Sequence, residues 1–478
     1  MTPLLASRTP PKSSWVRAAG AALIGLAGAA QSADVLPSEA LQQAEAVRDV
    51  ARESELAYEI LESLTTEVGP RMAGSPGDAR AVVWAQEKFA ELKFDRVLTE
   101  PVTFPAWRRG REEARVVAPF EQPLVITALG GSVATDGELR AQVRHFETLA
   151  DLQAAPDASL DGAIAFISNR MERFRTGAGY GPAVVARNQG ASVAAVKGAS
   201  ALMIRSIGTD RDRLPHTGNM SYDLDVPRIP AAALSNPDAD LLLSMLKRSD
   251  AVEVALHLTS RWDGTYTSYN VIGDLLGREA PEEYVVIGGH LDSWDLGTGA
   301  IDDGAGCAIT MAAATLIAQQ PQRPRRTIRV ILYANEEQGL YGARAYQQAH
   351  LGEMGQHIIG AESDFGAGPI YRFSTRVSPG SLAIVDQITQ VLAPLGITRG
   401  NNNAFGGPDL IPMRAAGMAV ATLHQDGTDY FDYHHTANDT LDKVNPEHLA
   451  QNVAAYAVFA YLAAEAPGDF GFRLGLEP

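Results

Sequence analysis

From residue 269 onward, short apolar runs alternate with helical segments, and no other feature of the chain narrows its fold as much. The runs 284–289, 327–334, 358–361 and 418–423 have strand length, while helical periodicity occupies 304–318, 381–395 and 446–464. Strands separated by helices cannot pair as hairpins. They pair in parallel, with the helices covering both faces of the sheet. The expected fold class is therefore mixed α/β, with a largely parallel central sheet flanked by helices. Ligands of such sheets bind beyond the carboxyl ends of the strands, so the residues just past each run are those to read for function.

The preceding chain has other textures. Segments 38–64 and 77–92 read as helices and 97–104 as a strand, with the break Gly69-Pro70-Arg71-Met72-Ala73-Gly74-Ser75 between the helices. These elements lack a centre of their own and belong, as residues 33–111, with the main domain of 261–478. The stretch 112–260 carries buried-strand patterns at 162–168, 201–206, 229–234 and 252–258, with helices at 184–197 and 238–247. It holds few histidines and no acids clustered at strand ends. It is expected to be an inserted α/β module that shapes a cleft rather than performing chemistry.

Residues 1–32 read as a secretory signal: Arg8, Lys12 and Arg17 precede the small-residue apolar run 18–30, and Ala30-Gln31-Ser32 forms a small-x-small cleavage site. The run is too short and too rich in Ala and Gly for stable membrane insertion. A secreted or periplasmic enzyme is expected. The single cysteine, Cys307, forbids an intramolecular disulfide, which fits a bacterial envelope. It lies in the apolar stretch 305–314 and is expected to be a buried structural thiol. A net charge of −17 argues against nucleic acid as a partner.

Acids and histidines fall at the strand ends. Run 284–289 leads into His290-Leu291-Asp292, and the loop 297–304 delivers Asp302 and Asp303 to a helix start. Run 327–334 ends in Asn335-Glu336-Glu337, run 358–361 in Glu362-Ser363-Asp364, and the last run leads by a loop to His434-His435. Each alone has an ordinary reading: a hydrogen-bonded structural histidine, an N-capping Asp, a solvated Glu pair. Together at the mouths of four strands they would repel or stay unsatisfied without cations. Imidazole and carboxylate donors without thiolate suit zinc or a similar divalent ion. Two metals would share one carboxylate, and a carboxylate outside the ligand set is then needed as general base.

The series Gly-His290-Leu-Asp292, Ile-Asp302-Asp303-Gly-x-Gly, Asn-Glu336-Glu337-x-Gly-Leu, Glu-Ser-Asp364 and His435-Thr-x-x-Asp-Thr440 resembles the M28 family of zinc peptidases. Within it the chain is most similar to the carboxypeptidase Q, or plasma glutamate carboxypeptidase, group. The likeness extends to Gly69-Pro70-Arg71 and to the inserted module, which resembles a protease-associated domain. It implies a zinc aminopeptidase-like fold and two zinc ions held by His290, Asp302, Glu337, Asp364 and His435, with Asp302 as the bridge. Glu336 then matches the general base that activates a metal-bridging water, and Asp292 the acid that orients His290. A cis peptide after Asp302 is part of the same pattern.

His434 and His435 compete for the last ligand position. The His-Thr-x-x-Asp-Thr alignment favours His435 and leaves His434 where several relatives carry an intermediate-stabilising tyrosine, a hydrogen bond a histidine can also donate. Glu362 competes with Asp364, which the Glu-Ser-Asp form favours. Asp409 is a candidate to bind a substrate amine and equally a turn residue, and Trp294 and Tyr430 are candidates for the pocket wall and equally for packing. The resemblance implies a small peptide substrate, foremost a dipeptide with free termini, and a tendency to form homodimers. Aminopeptidase and carboxypeptidase action on longer peptides are the alternatives. Glutaminyl cyclase and a catalytically dead binding protein are remote, since both acids of the double-carboxylate pattern and every ligand are present.

Overall fold

The structure, a computed structural model, describes residues 35–471; the expected signal segment 1–32 lies outside them. Strand β1 (Arg96–Arg108) is followed by eight strands of a separate sheet: β2 (Glu112–Ala118), β3 (Gln122–Leu124), β4 (Ile126–Ala128), β5 (Leu139–Phe146), β6 (Ile164–Ile167), β7 (Ala201–Arg205), β8 (Ala231–Leu234) and β9 (Glu253–Leu258). The chain then returns to the sheet begun by β1 through β10 (Arg261–Leu275), β11 (Ala280–His290), β12 (Arg326–Tyr333), β13 (His357–Glu362), β14 (Ile370–Arg376), β15 (Thr398–Arg399) and β16 (Val420–Gln425).

The order in this main sheet is β1-β10-β12-β11-β13-β16-β14-β15. Its centre, β12-β11-β13-β16, is parallel throughout, and antiparallel pairs lie at β1/β10, β10/β12 and β14/β16. Every residue of β12 is buried, as a strand covered on both faces requires. Helix Ala305–Ala318 packs on one face beside Leu56–Ser63 and Pro446–Glu465, and Ser38–Arg52 lies against Pro446–Glu465. The N-terminal helices thus borrow the main core. Ser75 and Asn445 cap helices Pro76–Glu91 and Pro446–Glu465, each with proline in the first turn. Among the described residues, one helix, Ala300–Ala318, is long and apolar enough to cross a membrane, and it is wholly buried in the protein.

The second sheet runs β3-β2-β9-β5-β6-β7-β8-β4. Its strands have the period-two division of a sheet buried on both sides. Ile164, Phe166, Met203 and Leu234 enter one core with Trp107 and Leu242, while Ile167, Leu202, Ile204 and Ala233 face the core shared with the main sheet.

Several elements differ from what the sequence pattern predicts. Strands β5, β10 and β14 form no apolar run in the sequence because polar residues punctuate them; in β10 the first half is exposed and only its second half is buried. The helix expected from 38 to 64 is broken at 53–55 and ends in a π-turn, Leu64–Val68. Asp302 does not cap the helix at 304. A π-turn, Ala300–Gly304, precedes it, Asp302 and Asp303 have non-helical backbone within that turn, and the peptide between them is cis.

Behind the sheet, Arg329 donates to the Tyr346 hydroxyl at 3.0 Å, which in turn lies 2.7 Å from His357 Nε2, while Glu353 O accepts from His357 Nδ1 at 3.1 Å. This arrangement suits a neutral imidazole. Burial foremost, with Arg329 and His350 nearby, pushes His357 down to about 4. An unfolded histidine has a pKa near 6.5, so between those values the unfolded chain binds the extra proton and stability falls with falling pH. Acidification from pH 7 to pH 5 is expected to remove about 2 kcal/mol through this residue. His357→Gln should flatten that part of the profile in urea unfolding series.

Candidate metal centre

Because β12, β11, β13 and β16 are parallel neighbours, their carboxyl ends open on one edge. That edge gathers His290 from the end of β11, Glu336 and Glu337 after β12, Asp364 after β13, and His434-His435 beyond β16. The π-turn Ala300–Gly304 adds Asp302. Asp303 takes over the duties expected of a helix-start acid: its Oδ1 accepts from Gly306 N at 3.0 Å and its Oδ2 from His290 N at 3.1 Å. Asp302 is thereby free to face the opposite way. Glycine is required at 306, since a Cβ there would stand 1.8 Å from Ser363 O.

Asp302 stands between two donor groups. His290 Nε2 is 3.1 Å from its Oδ1 and 3.7 Å from Asp364 Oδ1. On the other side His435 Nε2 is 3.2 Å from Asp302 Oδ2 and 2.9 Å from Glu337 Oε2, and His434 Nε2 is 3.6 Å from the same Oδ2. The sets His290–Asp302–Asp364 and Asp302–His434–His435 each bring one ligand atom per residue within 4.8 Å of the others. Asp302 Oδ2 and Glu337 Oε1 are buried and accept no hydrogen bond. Nitrogen and oxygen donors, buried, converging and incompletely satisfied, fit a divalent cation such as zinc.

The electrostatics agree with that fit. Burial works against ionised Asp302, yet the His290 and His435 imidazoles beside it hold its carboxyl well below the usual range. Burial also opposes protonation of His435, but Glu337 and Asp302 lift it to about 9. Burial, with Asp364, Asp409 and Glu337 nearby, pushes Glu336 well above the carboxylate range.

The competing candidates make different contacts. Asp364 approaches His290, whereas Glu362 points away, its Oε2 accepting from Asp409 N at 2.8 Å. His435 is the nearer of the two histidines to Asp302, and the rings of His434 and His435 stack with centroids 3.5 Å apart. Asp292 meets His290 Nδ1 mainly by its main-chain carbonyl, at 2.9 Å; its carboxylate lies at 3.6 Å and accepts from Glu336 N at 3.0 Å. Tyr430 lines the cavity above the centre, of about 360 Å³, with Glu336, Glu337 and Asp364. Trp294 packs edge-on against Trp107 and His435, and Asp409 is wholly buried.

The pattern of peptidase family M28 matches residues 270–460. Carboxypeptidase Q of Xenopus laevis is 34% identical over 410 residues, 86% of this chain and 86% of that protein. The chain belongs to peptidase family M28. The crystal structure of a peptidase M28 precursor from Shewanella amazonensis superposes with TM-score 0.89 at 54% identity, over 92% of this chain and 99% of that one. A zinc aminopeptidase from Bacillus subtilis shares the fold at TM-score 0.59 and 20% identity, over 84% of this chain and 94% of that one. As a member of M28 the chain is a peptidase, and carboxypeptidase Q is among its relatives.

Around the centre this M28 chain builds a support that sequence reasoning saw only in part. Asp439 accepts from Ile301 N at 2.6 Å and Asp302 N at 3.2 Å, fixing the turn that presents Asp302; it was in view as the Asp of His-Thr-x-x-Asp-Thr but had no role. From the second sheet, His216 bridges Asp210 Oδ2 at 2.6 Å and His434 O at 2.7 Å, and Thr217 N donates to His435 O at 3.0 Å. No local signal marked His216, because its partner lies 218 residues away. Arg71, fully buried, donates to the carbonyls of Leu291, Thr298 and Gly299 and so pins both ends of the loop between His290 and Asp302. Each orphaned buried acceptor costs about 1–3 kcal/mol. Arg71→Leu is therefore expected to destabilise the protein by about 3 kcal/mol or more, read as a lowered urea midpoint at unchanged slope.

Proposed function

We propose that this M28 peptidase is an exported, two-zinc exopeptidase that hydrolyses short peptides, foremost dipeptides with free termini. The observation that carries the reading is a single buried carboxylate, Asp302, shared by two groups of nitrogen and oxygen donors, with Glu336 in the same cavity. His290, Asp302 and Asp364 would hold one zinc and Asp302, Glu337 and His435 the other, Asp302 bridging. Bound there, zinc supplies Lewis-acid polarisation of the scissile carbonyl and acidifies water at neutral pH.

The rest of the work falls to the chain. Glu336, next to a ligand but outside the set, takes a proton from the attacking water and delivers it to the leaving amine. Asp292 orients His290 and braces the main chain of Glu336. His434, stacked on His435, donates a hydrogen bond to the oxyanion. The cavity of about 360 Å³, walled in part by Tyr180 and Arg187 from 112–260, suits a short peptide better than the end of a long chain. That stretch serves as an inserted, protease-associated-like module. Export is supported by the signal pattern in 1–32, and the Shewanella relative is described as a precursor.

Glu336→Gln should leave metal content and thermal unfolding unchanged and lower kcat by at least about 10³-fold; retained turnover would overturn the role of Glu336. Chelation should abolish cleavage, and metal analysis after zinc restores it should find two ions per chain. Product analysis on a free dipeptide, its N-acetyl form, its amide and a tetrapeptide decides the substrate. Cleavage of the free dipeptide alone supports the dipeptidase reading. Loss of the first residue from amide and tetrapeptide makes the enzyme an aminopeptidase, and release of the last residue from the N-acetyl form a carboxypeptidase.

A further inference from the structure

Helix Tyr180–Val196 of the second sheet's segment projects Arg187 into the cavity over the candidate metal centre. Its side chain is buried, with the residue 6% exposed. Its partners are neutral: Nη2 donates to the Tyr180 hydroxyl at 2.5 Å and Nη1 to Thr217 O at 3.3 Å. Nε is buried with no partner, and among the described residues no carboxylate pairs with the guanidinium. A buried cation satisfied only by neutral acceptors keeps most of its desolvation cost and calls for an anion.

Arg187 also stands in the right place. The Thr217 carbonyl that accepts from Arg187 accepts from His435 Nδ1 at 3.2 Å. A Cβ at Gly218 would lie 2.0 Å from Arg187 Nη1 and 2.9 Å from His435 Nδ1, so the guanidinium and the imidazole flank the same glycine. Among the described residues lining this cavity, Arg187 is the one permanently charged cation, whereas Asp302, Glu336, Glu337 and Asp364 are acids. An anionic group of a substrate entering the cavity therefore has one favourable position.

We propose that Arg187 binds the free C-terminal carboxylate of the peptide substrate. The inference rests on the exopeptidase reading of the centre and names the group that makes a free carboxyl end part of recognition. The planar guanidinium, with unused N–H groups, suits a carboxylate in two-point contact. An amide in place of the carboxylate would leave its charge uncompensated.

The test compares kcat/KM for a free dipeptide and for the same dipeptide amide in the wild-type holoenzyme, Arg187→Gln and Arg187→Lys. The wild type should favour the free acid. In Arg187→Gln, kcat/KM for the acid should fall by roughly 10- to 100-fold, mainly through KM, with a much smaller fall for the amide, so that the acid-to-amide ratio collapses towards one. Arg187→Lys should recover part of that ratio. Zinc content and thermal unfolding of the same preparations report a folded, metal-loaded enzyme. An equal fall for acid and amide would mean that Arg187 merely positions His435 through Thr217, and would overturn the proposal. So would a wild type indifferent to the terminal charge, which leaves the exopeptidase reading intact. A wild type that cuts neither peptide sinks the exopeptidase reading, and this inference with it.

Discussion

The structure is organised around one electrostatic problem: Asp302, Glu336, Glu337 and Asp364 are brought together at one edge of a buried parallel sheet. Acids so placed repel one another and lose hydration, and two histidines and their backbone supports relieve only part of that cost. Much of the surrounding architecture serves to keep them there. Asp303 and Asp439 hold the turn that presents Asp302, and Arg71 fastens the loop before it. Each of these contacts is made to main chain, so they fix where the acids stand without competing for their oxygens.

The segment 112–258 enters the same problem from outside. Its own sheet needs none of the centre's residues, yet its loops reach across to His434 and His435 through His216 and Thr217, and Arg173 pairs with Asp429 and Asp432 in the loop before them. The loop after β16 is thereby held from outside its own sheet, in which β16 pairs along its length with β14 and meets β13 at a single register pair, Gly360 with Val420. A segment that supplies none of the centre's acids or histidines thus helps to hold the last histidines in place.

The main sheet was legible because its strands are uniform apolar runs with punctuation at both ends, as in 327–334. The acids and histidine that follow those runs directly, His290, Glu336, Glu337 and Asp364, were legible for that reason, whereas Asp302 and His434-His435 arrive by loops. What escaped has a physical pattern. Strand β10 mixes exposed and buried halves, so no single period describes it. Arg187 and His216 act across more than 200 residues of sequence or from a helix whose other residues are ordinary packing, and neither carries a local mark. Asp303 looked like a second candidate beside Asp302; only the backbone of the turn divides the two, sending one acid to the helix start and the other to the centre.

The order of the centre along the chain has a consequence for synthesis. His290 comes first and His435 last, and helix Pro446–Glu465, which packs against Ala305–Ala318 beneath the centre, follows still later. During translation the second sheet is complete before any residue of the centre has been made. The hydrolytic apparatus is assembled only when the C-terminal part of the chain arrives, so a prematurely terminated product carries a finished scaffold and no working centre.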